Sequence, residues 1–274
     1  MMSVSLLKVA RECRPGGVFF VQVGVPSPAL RVRAWREGQS PQEIASWLRA
    51  SLLGAEGARE LAYEPELERY GGEVGLRLAE RVFQASTIGV LEAALAGQLG
   101  SPATRLRTSL LAGLQLGAAF FKEQGQCARF FARWVARWVA SEGEELGTDE
   151  AMRRWGLVRR RIERQGGAVV PLLQDLWTQS QRGESEGWAA ELQRELRDLA
   201  RLHGTAVDAG ALRRDHLEEV MVPSYLHMSN HRHGVLRVDE LYLAGLLALG
   251  LGGGGWIAEE IRAAHLGVRE AVRS

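Results

Sequence analysis

The first strongly apolar segment, Val18-Phe19-Phe20-Val21-Gln22-Val23, is β-branched and aromatic and follows Pro15-Gly16-Gly17, a combination that predicts a strand. After Pro26-Ser27-Pro28, a second segment alternates. Leu30, Val32 and Ala34 turn to one side of a strand while Arg31, Arg33 and Trp35 turn to the other, because successive side chains alternate. Ser40-Pro41-Gln42-Glu43 opens a helix: Ser caps it, Pro takes the first position, and Glu at the third completes a capping box. That helix runs through Ile44, Trp47, Leu48 and Leu52 to Gly54, and another strand is expected around Arg59 to Tyr63.

Beyond Gly72 the period changes from two to about 3.6, with helical spacing at Val74, Leu78 and Val82 and then at Ile88, Leu91 and Leu95. Helices are predicted over 106–121, 128–140, 149–165, 169–181 and 185–202, separated by glycines or Ser/Thr/Asp caps. His203 to Val222, with Gly204, Gly210 and the following Pro223, reads as a looser stretch, either a mobile loop beside a site or a plain connection. The run from Leu241 to Trp256 is uncharged but shorter than the roughly 18–20 residues a membrane span needs. Glycines from Gly250 onward break it, so a buried helix ending in a glycine loop is expected. The order of elements predicts an α+β fold: a small, largely antiparallel sheet in the N-terminal part, packed against a mostly helical remainder, in a single domain over 1–274.

Composition narrows the function classes. A chain of 274 residues with 46% hydrophobic content can bury a substantial core, and a formal net charge of +1 provides no overall field for nucleic acid or anionic membranes. Neither direct nucleic-acid binding nor membrane attachment is expected. Lys8 and Lys122 are the only lysines, so the positive charge is almost all arginine, whose planar fork suits carboxylates and phosphates. Cys13 and Cys127 are far apart and give neither a disulfide framework nor a metal spacing, in keeping with a reducing cytoplasm. Met1 to Cys13 has an apolar run too short for a signal peptide.

Five groups of residues could carry chemistry. Arg31 and Arg33 share a strand face and could grip one anion from two directions, or simply be kept wet. Glu66 and Arg69 have the spacing of an ordinary surface pair, but Tyr63, Pro65, Tyr70 and Gly71-Gly72 describe a turn that would fix their geometry. His227 lies in Ser224-Tyr225-Leu226-His227-Met228, followed by His231, Arg232 and His233. Imidazole titrates near neutrality and suits proton transfer, whereas zinc would need further ligands, so no metal is expected. Phe130, Trp134 and Trp138 run beside Arg129, Arg133 and Arg137, a pattern found in nucleic-acid binders and equally in amphipathic helices with one buried aromatic face. Arg153, Arg154, Arg159, Arg160, Arg161 and Arg164 form the most basic helix, either a solvated face or a dock for an acidic peptide or a partner subunit.

These landmarks resemble the C-terminal domain of class I lanthipeptide dehydratases, which also occurs as a stand-alone protein in thiopeptide pathways. The resemblance rests on Phe19-Phe20, Leu30-Arg31-Val32-Arg33, the box from Tyr63 to Gly72, Phe83 with Ser86, and Ser224-Tyr225-Leu226-His227-Met228 with Arg232 and Glu240. It implies a lyase that expels glutamate from a glutamylated Ser or Thr of a ribosomal precursor peptide, leaving a dehydroamino acid. Implied partners are that precursor peptide, glutamylated or dehydrated, and a separate glutamyl-tRNA-dependent glutamylating subunit; no cofactor is implied, and a homodimer is compatible. Carried over by motif, Arg31, Arg33, Glu66, Arg69 and His227 fall on elimination residues, with Tyr63, Tyr70, Ser224 and Arg232 as substrate-binding positions.

The chain departs from that pattern at Ala29, where the family has histidine, at Ala85, where it has aspartate, and at His231, where it has asparagine. The first two departures are also compatible with the branch that joins two dehydroalanines in a formal aza-[4+2] cycloaddition, forming a pyridine and releasing the leader peptide; that branch resembles the same fold with the elimination residues eroded, whereas here Arg31, Arg33, Glu66, Arg69 and His227 are all present. A third reading is a non-catalytic subunit that holds a precursor peptide for the glutamylating enzyme.

Overall fold

The computed structural model describes residues 2–13, 16–23, 29–36, 38–52 and 64–271. The expected strand at Arg59 to Tyr63, and Tyr63 itself, lie outside the described residues. The fold is α+β and mostly helical, with one two-stranded antiparallel sheet near the N-terminus packed against helices. By chain contacts it forms two compact units, 1–113 with 186–235 and 114–185 with 236–274.

In the first unit, α1 (Met2–Glu12) leads into β1 (Gly16–Val23) and β2 (Ala29–Arg36), paired in the register Val18↔Ala34, Phe19↔Arg33 and Phe20↔Val32. One sheet face carries Val18, Phe20, Leu30, Val32 and Ala34 into a core with Leu6, Val9 and Ala10 of α1 and Ile88 and Leu91 of α3 (Gly72–Leu95). The alternation in β2 is therefore real, and its cause is burial of a single face. On the opposite face Trp35 lies across Gly17, where any β-carbon would sit 2.0 Å from the indole ring. Helix α2 (Pro41–Ser51) starts with the expected capping box: Ser40 Oγ accepts from the Glu43 N–H, and Glu43 Oε2 accepts from the Ser40 N–H at 2.7 Å.

Helix α3 is buried on nearly every side from Val82 to Leu91 and packs on α7 (Gly187–Asp208), α1, β1 and α9 (Val222–Arg232). The stretch expected as a loose loop is mostly helical. Helix α7 continues past Gly204 to Asp208, Gly210 takes a left-handed φ of 73° to end it, and the chain re-enters helix at α8 (Arg214–His216). A π-helical turn at Leu217–Met221 then joins α8 to α9. It spans residue 219, whose carbonyl a regular α-helix would drive into the Pro223 ring, so the proline is accommodated by widening and does not break the helix.

The second unit packs α5 (Gln124–Leu146), α6 (Thr148–Arg182), α10 (Arg237–Gly250) and α11 (Gly254–Ala271). The first unit's α4 (Pro102–Phe120) runs into it from Leu114 onward. The two helices expected over 149–165 and 169–181 are one, α6, with Pro171 in its interior. Gly166 does not punctuate it. A β-carbon there would lie 3.1 Å from Leu249 of α10, so this glycine permits close helix packing. Helix α10 is the expected buried helix, closed by Gly252 at φ 92°, and no helix among the described residues is long and apolar enough to cross a membrane.

Gly75 couples α3 to the turn before it: a β-carbon would stand 1.7 Å from the Tyr70 carbonyl oxygen and 2.9 Å from Leu212. Gly75→Ala is predicted to cost about 2–4 kcal/mol in chemical denaturation. Gly204→Ala, where a β-carbon meets nothing within 4 Å, is predicted to stabilise by about 0.5–1 kcal/mol. His233 is wholly buried, with Nδ1 2.8 Å from the Ser229 carbonyl, and burial pushes its pKa down to about 4. The unfolded chain then binds the extra proton first, so the stability His233 confers by staying neutral is complete above pH 6.5 and is lost as pH falls toward 4. Denaturation across that range should show a loss on the order of 3 kcal/mol that shrinks in His233→Asn, which keeps a donor for Ser229.

Candidate active site

The box from Glu64 to Gly72 folds as a single helical turn. Tyr70 N–H donates to the Glu66 carbonyl at 3.2 Å and Gly72 N–H to the Leu67 carbonyl at 2.7 Å. Gly71 and Gly72 adopt φ of 71° and 88°, the left-handed region that glycine enters without strain, and so turn the chain into α3. The turn sets two kinds of residue apart. Glu66 and Arg69 pair at 3.0 Å with both side chains about half exposed, an arrangement that contributes little to stability by itself. Tyr70 points inward and is only 6% exposed.

Tyr70 enters an aromatic platform. Its ring is parallel to Tyr225 at 6.4 Å and edge-on to Phe83 at 5.7 Å, and Phe83 meets Phe19 at 5.3 Å. The Tyr70 hydroxyl shares a hydrogen bond of 2.9 Å with Ser224 Oγ. Burial pushes the Tyr70 phenol up, and the Ser224 bond and the Arg69 charge oppose that push. Tyr225 is raised further by near-complete burial.

Two guanidiniums meet this platform. Arg33, directly across the ladder from Phe19, holds its Cζ 5.7 Å from that ring. Arg232 of α9 is 1% exposed, with Cζ 5.8 Å from Phe19 and 5.1 Å from Phe83, and its Nε donates to the Phe20 carbonyl at 2.8 Å. Complete burial pushes Arg232 down to about 9, with Tyr70 opposing and Arg33 adding to the shift, so the group remains charged at neutral pH. Two cations and a buried phenol pair around one apolar floor can receive a carboxylate, with the rings excluding water from the contact.

The other expected residues are placed as follows. Arg31 is two positions from Arg33 on the same strand face and exposed, and its side chain makes no hydrogen bond or ion pair among the described residues. His227 lies one turn beyond Ser224 on α9, on the stripe Ser224, His227, His231, with its ring 4.4 Å from that of His231. Arg33, Arg232, Tyr70 and Ser224 thus share one locality, with Glu66 and Arg69 at its exposed margin.

Two histidines that the sequence reading passed over support the cluster. His203 on α7 is buried, with Nδ1 2.7 Å from the Leu199 carbonyl and Nε2 2.9 Å from the Tyr225 hydroxyl. The carbonyl can only accept, so Nδ1 carries the proton and Tyr225 donates to Nε2; burial lowers the imidazole pKa and keeps it neutral. Its place on the buried stripe Leu192, Leu196, Leu199, His203 was a readable signal. His216 sets Nε2 3.0 Å from the Arg69 carbonyl and packs its ring against Gly71, tying the turn to α8. No period or motif in the sequence announces that contact.

The lantibiotic biosynthesis dehydratase C-terminal family matches the chain over residues 4–250. No curated protein matches it. With a match covering nearly the whole sequence, including both strands, the glycine-ended turn and α9, the chain belongs to the lantibiotic biosynthesis dehydratase C-terminal family.

Proposed function

We propose that this chain performs the elimination half of lanthipeptide or thiopeptide dehydration, expelling glutamate from a glutamylated Ser or Thr of a precursor peptide. Membership of the family gives the broader role, a dehydratase-type enzyme of lantibiotic biosynthesis that acts on a precursor peptide. The observation that carries the finer reading is the approach of Arg33 and the buried Arg232 to the same Phe19 ring, beside the Tyr70–Ser224 pair.

In β-elimination the Cα–H electron pair becomes the Cα=Cβ bond, the Cβ–O bond breaks, and glutamate leaves as a carboxylate while a base takes the proton. Negative charge grows on the leaving oxygen and on the carbonyl next to Cα, and fixed donors in a dry site stabilise both. Arg33, with Arg31 on the same strand face, receives the departing carboxylate. Tyr70, Ser224 and Arg232 hold the peptide and its developing charge, and Glu66 orients Arg69. His227 moves the proton, the task for which an imidazole is suited near neutral pH.

Incubation with an authenticated glutamylated precursor should release one glutamate per dehydroamino acid formed. If glutamate stays on the peptide, the reading fails. Ala29 and Ala85 favour the cycloaddition instead, and a peptide carrying two dehydroalanines separates the two: a new pyridine absorbance with leader loss would replace elimination as the function. Arg33→Ala is predicted to lower kcat/KM for glutamate release by about 10²–10³ with far-UV circular dichroism unchanged. Arg33→Lys should recover little, because an ammonium lacks the planar fork; wild-type turnover by both variants would remove Arg33 from the mechanism.

A further inference from the structure

In the second unit, α6 and α11 border a groove of about 460 Å³ that no step of the proposed elimination uses. Its floor is apolar, made by Trp155, Ile261 and the bare backbone of Gly156, with Met152 at 38% exposure beside them. Its rim is cationic: Arg159, Arg160 and Arg262 against a single acid, Glu163. Glu163 is already held by Arg159 at 2.7 Å.

The other arginines of the basic helix are largely committed. Arg153 and Arg154 bind Glu150, Arg154 also reaches Glu142, and Arg161 pairs with Asp239 at 2.8 Å while lying 3.9 Å from the Tyr242 ring. The side chains of Arg160 and Arg262 are exposed and make no hydrogen bond or ion pair among the described residues. The basic helix is therefore not a uniform wet face: Arg164, exposed and without an ion pair among the described residues, lies outside the groove, whereas Arg160 and Arg262 of α11 bring two uncommitted charges together where the surface is concave and apolar.

We infer that this groove binds an acidic peptide segment, its carboxylates gripped by Arg160 and Arg262 and an apolar side chain seated over Gly156. Each guanidinium can hold a carboxylate through two parallel bonds, and an apolar floor beside them selects an amphipathic acidic partner over a simple anion. A nucleic acid fits the site less well. Single-stranded binders present an exposed stacking ring, and Trp155 is 6% exposed here. The chain as a whole carries a net charge of only +1. That the segment belongs to the precursor peptide rests on the proposed function; the binding itself does not.

The test is fluorescence anisotropy of the full chain with a labelled peptide carrying glutamates and leucines at helical spacing, compared with the same peptide bearing lysine for glutamate. The acidic peptide should bind, more weakly as salt rises, and the lysine peptide should not. Arg160→Glu with Arg262→Glu should weaken binding by about ten-fold or more. Gly156→Leu should weaken it as well while preserving the fold, because a β-carbon there meets only the Arg160 guanidinium at 3.6 Å. Arg33→Ala should leave this binding unchanged.

Equal affinity for both peptides, indifference to the Arg160 and Arg262 substitutions, or dependence on Arg33 would overturn the inference. So would transfer RNA that displaces the peptide through the same two arginines, which would assign the groove to nucleic acid. Glutamate release is not part of the readout, so failure of the elimination reading and failure of the groove are told apart.

Discussion

The burial of one guanidinium organises the first unit. Arg232 sits on α9, donates to the Phe20 carbonyl of β1 and lies against Phe83 of α3, so one side chain fastens the three elements from which the cluster is built. Removing a charge from water costs several kcal/mol, and here a backbone carbonyl and two ring faces offset part of that cost. The rest appears as the lowered affinity of Arg232 for its proton. A cation kept under those conditions gives the platform a fixed positive field, which is strongest where water is excluded.

Around that charge the residues separate into a dry set and a wet set. Tyr70, Ser224, Tyr225 and His203 are buried and joined by hydrogen bonds or ring contacts, and each geometry is held by a partner. Glu66, Arg69 and Arg31 are exposed and can adjust to a peptide arriving from solvent. The Glu64–Gly72 turn joins the sets by presenting Tyr70 inward and Arg69 outward within two successive residues, and His216 secures it through the Arg69 carbonyl. For the elimination proposed above, a rigid floor and an adaptable margin would suit the two demands of stabilising charge and admitting a chain.

The parts of this arrangement legible in the sequence are those set by local rules. The alternation of Leu30 to Trp35 holds because one face of β2 is buried and the other is not, and the Ser40–Glu43 capping box forms because both of its bonds lie within one turn. What could not be read is tertiary. Gly166 and Gly204 look like breaks, but the first lets Leu249 approach and the second simply continues a helix that packing stabilises. Pro223 signals a loop, yet a π-turn ahead of it absorbs the ring. Within the glycine-ended box, sequence spacing draws attention to Glu66 and Arg69, whereas burial selects Tyr70, because only the fold decides which side of a turn faces inward.

A carboxylate site formed by Arg33 and Arg232 on the Phe19 platform would reveal itself when glutamate is titrated and the arginine Nε–Hε resonances are recorded. Saturable shifts of the Arg33 and Arg232 signals are expected at concentrations that leave Arg160 and Arg262 unmoved. If those two signals stay in place while glutamate binds elsewhere, or if every exposed arginine responds alike, the cluster does not hold the leaving group.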